Sequence, residues 1–287
     1  MADLLGLPAV KELQEEIIEK LDIFRKSSNY PGRLPKLGIV RVGERPDDLY
    51  YESSAVKKTA SLGMESRVFS FPGDISHGRF LEEFIKINED DSIDGILMFS
   101  PLPKTLDENE ILSVMDPDKD LDGLTRPNQV KVYLGEDGGF APCTAAAVMQ
   151  ILKYAKVELS GKKVVVLGRS KVIGKPVSML LLKENATVTI CHSKTEALAG
   201  ICREADILIA AAGRAKMVTD DFIKDGAVVV DVGINQDPDG NMCGDVDYDK
   251  AVTKAGLITP VPRGVGSVTT TILASHLLEA AIKKANG

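Results

Sequence analysis

Short runs of β-branched and aliphatic residues alternate with longer stretches of helical spacing along this 287-residue chain. That alternation confines it to βα units built on mostly parallel sheets. In the first half Lys36–Val42, Ser66–Phe71 and Asp94–Met98 read as strands, and Val10–Lys26, Asp47–Leu62 and His77–Asn88 as helices. A stretch rich in Asp, Gly, Pro and Asn follows Asp116–Asp122 and runs to Pro142, where a domain boundary is expected. Beyond a helix at Thr144–Tyr154, strands Lys163–Leu167, Thr187–Cys191, Ile207–Ala210 and Ala227–Asp231 alternate with helices Gly174–Lys183 and Thr195–Glu204. This is the pattern of a doubly wound sheet. The amphipathic helix Val268–Ala285 is expected to cross back to the first domain. The expected division is 1–143 with 268–287 as one domain and 144–267 as the other.

Composition removes several classes of function. Lys and Arg total 35 against 42 Asp and Glu, a net charge of -7, so the surplus cations that grip nucleic-acid phosphates are missing. Aromatics are 5% with no Trp, which leaves little for base stacking. No stretch approaches the ~18 apolar residues of a membrane span, and the N-terminal residues lack the basic-then-apolar pattern of a leader, so a cytoplasmic protein is expected. Cys143, Cys191, Cys202 and Cys243 form no CxxC pair and have no histidine at zinc spacing, so neither a disulfide framework nor a metal site is expected.

The sharpest local feature is KKVVVLGRSKVIGKPVSMLLL, a buried-type strand running into a glycine turn and then a helix. In a dinucleotide-binding turn of this kind Gly168 allows the tight bend, Gly174 permits close approach of the helix, and the helix N-terminus attracts pyrophosphate. The spacing G-x-S-x-x-x-G lacks a middle glycine, and a plain βα turn would read the same way. Arg169 and Ser170, with His192, Ser193 and Lys194 after the next strand, place donors where a ribose 2′-phosphate would lie. No acidic residue at Cys191–Lys194 offers the ribose contact that favours NAD, so NADP is expected over NAD. VVVDVGIN (Val228–Asn235) and TPVPRGVGSVTT (Thr259–Thr270) bring further glycines to the carboxyl edge of the sheet, where ligands bind. A turn needing positive φ explains any one of these glycines equally well.

Taken together, LPKLGIVRVGERPDDLYY, DGILMFSPLP, PDKDLDG, APCTA, GRSKVIGKPVSMLL, CHSKT, VVVDVGIN, GDV and TPVPRGVG resemble, in collinear order, the methylenetetrahydrofolate dehydrogenase/cyclohydrolase family, the FolD proteins. The resemblance spans essentially the whole chain. It implies an α/β fold with an N-terminal folate-site domain completed by the C-terminal helix, a Rossmann-like NADP domain, an active-site cleft between them, tetrahydrofolate as substrate and a homodimer. By motif match Tyr51 stacks on the pterin, Asp122 hydrogen-bonds its amino edge, and Pro101, Leu102 and Pro103 line the cleft. The DKDLDG context suits a turn or cap carboxylate at Asp122 as well. Pro262 and Gly264 fall among the substrate-side positions. Gly168, Arg169, Ser170, Ile173, His192, Ser193, Gly233 and Ile234 correspond to NADP contacts, and Thr269 to a residue near the nicotinamide.

The departures from the family pattern bear on activity. The family helix reads Y-x-x-x-K, whereas Tyr51 is followed by Ala55 at the lysine's place, and Phe99 stands where V-Q-L-P-L-P has glutamine. Lys57 matches a second family lysine and points about 200° away from position 55, whereas Lys58 lies on a neighbouring face and is a weak stand-in. Arg263 interrupts the P-G-G-V-G-P pattern. Hydride transfer from the one-carbon bridge needs mainly positioning, whereas methenyl hydrolysis needs proton transfers by a tuned group. The expected function is therefore a 5,10-methylenetetrahydrofolate dehydrogenase using NADP, with cyclohydrolase activity weak or absent and hydrolysis handed to a separate protein. The alternatives are a bifunctional dehydrogenase/cyclohydrolase and a non-catalytic folate/nucleotide-binding protein.

Overall fold

The computed structural model describes residues 2–27 and 33–286; Met1 and Gly287, the ends of the expected first domain, lie outside the described residues. In chain order the elements are β1 (Ala2–Asp3), α1 (Gly6–Lys26), β2 (Lys36–Val42), α2 (Pro46–Ser61), β3 (Glu65–Phe71), α3 (His77–Glu89), β4 (Gly95–Met98), α4 (Glu108–Val114), α5 (Arg126–Leu134) and α6 (Cys143–Tyr154). They continue with β5 (Lys163–Leu167), α7 (Gly174–Lys183), β6 (Thr187–Cys191), α8 (Leu198–Cys202), β7 (Ile207–Ala210), β8 (Val228–Asp231), β9 (Asn235–Gln236), β10 (Met242–Cys243), α9 (Tyr248–Ala251), β11 (Leu257–Ile258) and α10 (Thr269–Asn286). Two compact units result: one holds Leu13–Lys131, Glu136–Cys143 and the chain from Thr270 onward, the other the chain up to Glu12, Val132–Gly135 and Thr144–Thr269.

The first unit is built on a three-stranded parallel sheet in the order β3-β2-β4. The central strand β2 is almost wholly buried, as an aliphatic run covered on both faces must be, while the edge strand β3 alternates between half-buried and exposed residues. Val40 and Met98, paired across β2 and β4, face Phe80, Phe84 and Ile111 in one core. The next residue along β2, Arg41, points to the other face and meets α2 through Glu52. The last helix packs within this unit, where Lys284 Nζ donates to the Asp91 carbonyl at 2.6 Å.

The second unit carries a six-stranded, all-parallel sheet in the order β1-β11-β8-β7-β5-β6. The chain goes from β5 outward to β6 and then returns to the opposite side at β7, so the topological switch point lies between β5 and β7. Open α/β sheets bind ligands at the carboxyl ends of the strands flanking that point.

Several expectations need correction. Residues assigned to the first domain at the chain's start lie instead on the second sheet, because Ala2 and Asp3 pair with Leu257 and Ile258 and Gly6 donates its N–H to the Arg263 carbonyl. The stretch expected to be irregular contains α5, whose surface-exposed Val130, Tyr133 and Leu134 give no core-facing stripe. It is held instead by Asn128, whose buried amide donates to the Pro117 carbonyl at 2.9 Å and accepts the Phe140 N–H at 3.2 Å. The helix expected over Thr195–Glu204 shortens to α8, preceded by Ala197 at φ 50°. Among the described residues no helix is long and apolar enough to cross a membrane, and no group of three His, Cys, Asp or Glu could hold a metal ion.

Candidate functional site

In the first unit α2 starts at Pro46, whose fixed φ and missing N–H suit a first helical position, and Asp47 and Asp48 in its first turn complement the helix dipole. Tyr51, one turn further, is half-buried and meets the Phe99 ring edge-on, with centroids 6.0 Å apart and an interplanar angle of 88°. Residue 99 is thus an aromatic partner for Tyr51 where the family pattern has an amide. Ala55 is wholly buried, so the helix face below Tyr51 carries a methyl group in place of a cation. Lys57 is exposed, whereas Lys58 is half-buried and burial lowers its ammonium pKa. From Tyr51 the steps of four and seven residues turn about 40° and −20°, so Tyr51, Ala55 and Lys58 share one stripe.

The loop after β4 is held by a residue that motif reading passed over. Glu108, in the first turn of α4, accepts the Ser100 hydroxyl at 2.9 Å and the Leu102 N–H at 2.7 Å. Pro101 is exposed at the loop's tip, but Leu102 is buried in the core beside Phe80 and Ile111. Leu102 therefore anchors the loop, and its side chain is not available as the ligand-facing surface expected of it.

The two carboxylates of DLDG's neighbourhood divide their work. Asp120 is buried and accepts the N–H groups of Leu124 at 3.0 Å and Thr125 at 2.7 Å, so the turn is its task. Asp122 Oδ1 accepts the N–H of Cys143, the first residue of α6, at 2.7 Å, so it also caps a helix. Burial pushes the Asp122 carboxyl up to about 6, with the Asp120 charge adding to the shift and the Cys143 hydrogen bond opposing it. Cys143 itself lies 3.8 Å from His276 Nδ1, a spacing that suggests a thiol–imidazole pair. Yet Nδ1 is also 2.8 Å from the Leu121 carbonyl, which can only accept, so that nitrogen carries the proton and cannot take one from the thiol. Burial lowers the His276 pKa and raises that of Cys143, and the pair stays neutral.

In the second unit the two predicted glycines are both sterically required. A Cβ on Gly168, at φ 135°, would lie 2.1 Å from the Ala211 carbonyl oxygen, and one on Gly174 would lie 2.2 Å from that of Gly168. Ser170 Oγ accepts the Ile173 N–H at 3.1 Å and so caps the start of α7. Arg169, Ser170, Ser193 and Lys194 are exposed, and His192 and Ile173 half-buried, which leaves the donors at the ends of β5 and β6 open to a ligand. His192 is fixed in its turn, with its N–H on Thr195 Oγ1 at 2.9 Å and its Nδ1 accepting from the Lys194 N–H at 3.2 Å.

Gly233 is not among the glycines at positive φ, so the turn reading does not explain it. It is buried, and a Cβ there would come within 2.4 Å of the Asp245 carboxylate, so an internal side chain dictates the glycine. Ile234, the next residue, projects into solvent with 68% of its surface exposed, as an apolar ligand contact would. Gly264 admits no Cβ because the Pro260 carbonyl oxygen would lie 2.5 Å away, and Pro262 is exposed. Thr269 is buried and its hydroxyl donates to the Gly266 carbonyl at 3.2 Å. Arg263 is exposed at φ 87°, a left-handed conformation that disfavours any side chain.

Comparison with known proteins agrees with this geometry. Residues 4–122 match the family model described as tetrahydrofolate dehydrogenase/cyclohydrolase, catalytic domain, and residues 142–285 match that of the NAD(P)-binding domain of the same family. The chain is 53% identical over 279 residues to the bifunctional protein FolD of Carboxydothermus hydrogenoformans, covering 96% of each. Its structure resembles the bifunctional enzyme FolD of Campylobacter jejuni with a TM-score of 0.94 at 35% identity, covering 99% of both chains. It also resembles the Trypanosoma brucei FolD, solved with NADP cofactor and inhibitor, with a TM-score of 0.93 at 35% identity over 100% of this chain and 99% of the other. With both halves matched and the sheet orders, the glycine turn and the carboxylate of DLDG in place, the chain belongs to the tetrahydrofolate dehydrogenase/cyclohydrolase family.

Proposed function

We propose that this chain oxidises 5,10-methylenetetrahydrofolate with NADP and also hydrolyses the methenyl product. The relatives' names support this bifunctional reading over the sequence expectation of a dehydrogenase with weak or absent cyclohydrolase activity. The observation that carries it is Lys58, a half-buried lysine with a lowered pKa on the stripe that also holds Tyr51. Such a group is tuned toward the pH where proton transfer to and from water is effective.

Within the first unit Tyr51 offers its ring to the pterin face, with Phe99 holding it edge-on. Asp122, with one oxygen tied to Cys143, accepts from the donor edge of the pterin. NADP, when bound, accepts the hydride. The second unit fits that cofactor: the Gly168–Gly174 turn leaves room only for backbone, Arg169, Ser193 and Lys194 supply cationic and hydroxyl donors for a 2′-phosphate, and no carboxylate stands at Cys191–Lys194 to repel it. The expected homodimer and cytoplasmic location belong to the same proposal, and sedimentation of the purified protein tests the first.

A second reading, hydride transfer alone, is favoured by the buried Ala55 and by Phe99 in place of the lysine–glutamine pair. One experiment separates them. Purified protein is mixed with 5,10-methylenetetrahydrofolate and NADP, and the methenyl and 10-formyl products are followed separately. Formation of 10-formyl product above the spontaneous rate, lost in Lys58→Met while hydride transfer persists, is expected. Accumulation of methenyl product by the unaltered protein would establish the second reading, and Ala55→Lys with Phe99→Gln should then restore hydrolysis by about 10²–10⁴-fold.

A further inference from the structure

Two buried aspartates at the carboxyl edge of the six-stranded sheet have no part in the chemistry above. Asp231 ends β8 and Asp245 follows β10, and neither is more than 3% exposed. Asp245 Oδ2 accepts the N–H groups of Ala212 at 2.6 Å and Gly213 at 3.0 Å, and its Oδ1 accepts those of Arg214 at 2.7 Å and the Asn235 side chain at 2.9 Å. Asp231 Oδ1 accepts the N–H groups of Gly233 at 2.9 Å and Asp245 at 3.0 Å, and its Oδ2 that of Val246 at 2.9 Å. The carboxylates interlock: Asp231 holds the backbone that carries Asp245, and Asp245 reaches back to Asn235 in the loop that follows Asp231. Two glycines make room for them. A Cβ on Gly233 would meet the Asp245 carboxylate at 2.4 Å, and one on Gly244 would meet Asp231 Oδ2 at 1.8 Å.

The placement of this clamp gives it a consequence for binding. Ala212, Gly213 and Arg214 lie just beyond β7, at the switch point, and Ala211 touches the Gly168 turn. Three successive N–H groups converging on one point form a concave site of the kind that binds anions. Here an internal carboxylate fills it. Phosphate recognition therefore falls to the Gly168–Gly174 turn and the donors after β6, on one side of the switch point. The other side, between the loops after β7 and β8, is set by Asp245.

We propose that Asp245, supported by Asp231, is a positioning residue for the dinucleotide, fixing the two loops that receive its nicotinamide half while leaving the adenosine half to the Gly168 turn. The inference rests on the NADP reading given above. Asp245→Asn keeps the shape but replaces one acceptor oxygen with a donor facing N–H groups, so one pair of contacts is lost.

The test is calorimetric titration of the intact protein with NADP and with adenosine 2′,5′-bisphosphate, which carries only the adenosine and 2′-phosphate end. In Asp245→Asn the Kd for NADP should rise about tenfold or more, while that for adenosine 2′,5′-bisphosphate stays within about twofold and the folate KM is unchanged. Equal weakening of both nucleotides, or an unchanged NADP affinity, would overturn the proposal. Should Asp245→Asn fail to fold, Asn235→Ala removes one contact of the clamp and should show a smaller loss with the same selectivity; no selectivity there also overturns it. Unaltered protein that binds neither nucleotide removes the NADP reading itself, and the proposal with it.

Discussion

Replacing Arg41 with leucine should destabilise the folate-side unit far more than replacing Arg41 and Glu52 together. Arg41 Nε lies 2.8 Å from Glu52 Oε2, and the two side chains are only 9% and 17% exposed. The same guanidinium donates to the Gly43 carbonyl at the end of β2. Arg41→Leu leaves the Glu52 charge in a poorly solvated place without its partner, a change that typically costs about 3–5 kcal/mol. With a urea m-value of about 2 kcal/mol/M the midpoint should fall by about 1.5–2.5 M. The double change Arg41→Leu, Glu52→Leu removes both charges and should return stability to within about 1 kcal/mol of the starting value, or above it. The two positions are then coupled by more than about 3 kcal/mol, because the double variant loses less than Arg41→Leu alone. Urea-dependent hydrogen exchange of the β2 and α2 amides reads this unit separately from the other. Because Glu52 adjoins Tyr51 on α2, the single variants should also raise the folate KM and the double variant should recover it. Losses that simply add, to within about 0.5 kcal/mol, would show that the pair contributes nothing as a pair.

Three other outcomes follow from the site. Asp122 is protonated below its pKa of about 6 and then loses acceptor capacity toward the pterin, so kcat/KM for folate should fall as pH drops through about 6 and level off above it. Asp122→Asn should abolish that limb, and a persisting limb would assign it to another group. Arg169→Ala should narrow the preference for NADP over NAD by about tenfold, as loss of one charged phosphate contact does, with Ser193→Ala smaller; an unchanged ratio would remove both from the 2′-phosphate site. Arg263→Gly should relieve the left-handed backbone at φ 87° and raise the melting temperature by about 2–4 °C, a gain of about 1 kcal/mol in a unit of this size, and a lower value would mean that the Arg263 side chain makes a compensating contact.

The alternation of aliphatic runs and helical spacing was enough to locate the strands β2, β5, β7 and β8, because buried parallel strands need nearly uninterrupted apolar residues. It was not enough for the two-residue strands β1 and β11, which owe their pairing to partners far along the chain, or for β9 and β10, a hairpin of two-residue strands too short to leave an alternating pattern. The same holds for α5, which a single buried asparagine secures. Gly168 and Gly174 were legible because a strand–turn–helix leaves them little choice. Gly233 was legible only as a glycine; that the Asp245 side chain excludes a Cβ is a fact of three-dimensional packing.

The sequence by itself determined the fold class, the family and the loss of the lysine–glutamine pair, since these depend on residue type, order and periodicity. Tertiary structure decided which residues share a surface. It set the Phe99 ring against Tyr51, buried Lys58 enough to lower its pKa, divided turn and cap between Asp120 and Asp122, and locked two distant loops with Asp231 and Asp245. The physical reason is common to all four. Desolvation, the Tyr51–Phe99 ring contact and the hydrogen bonds of Asp122 and Asp245 depend on distances between groups well separated in the chain, which no local pattern encodes, whereas only the Asp120 turn is local.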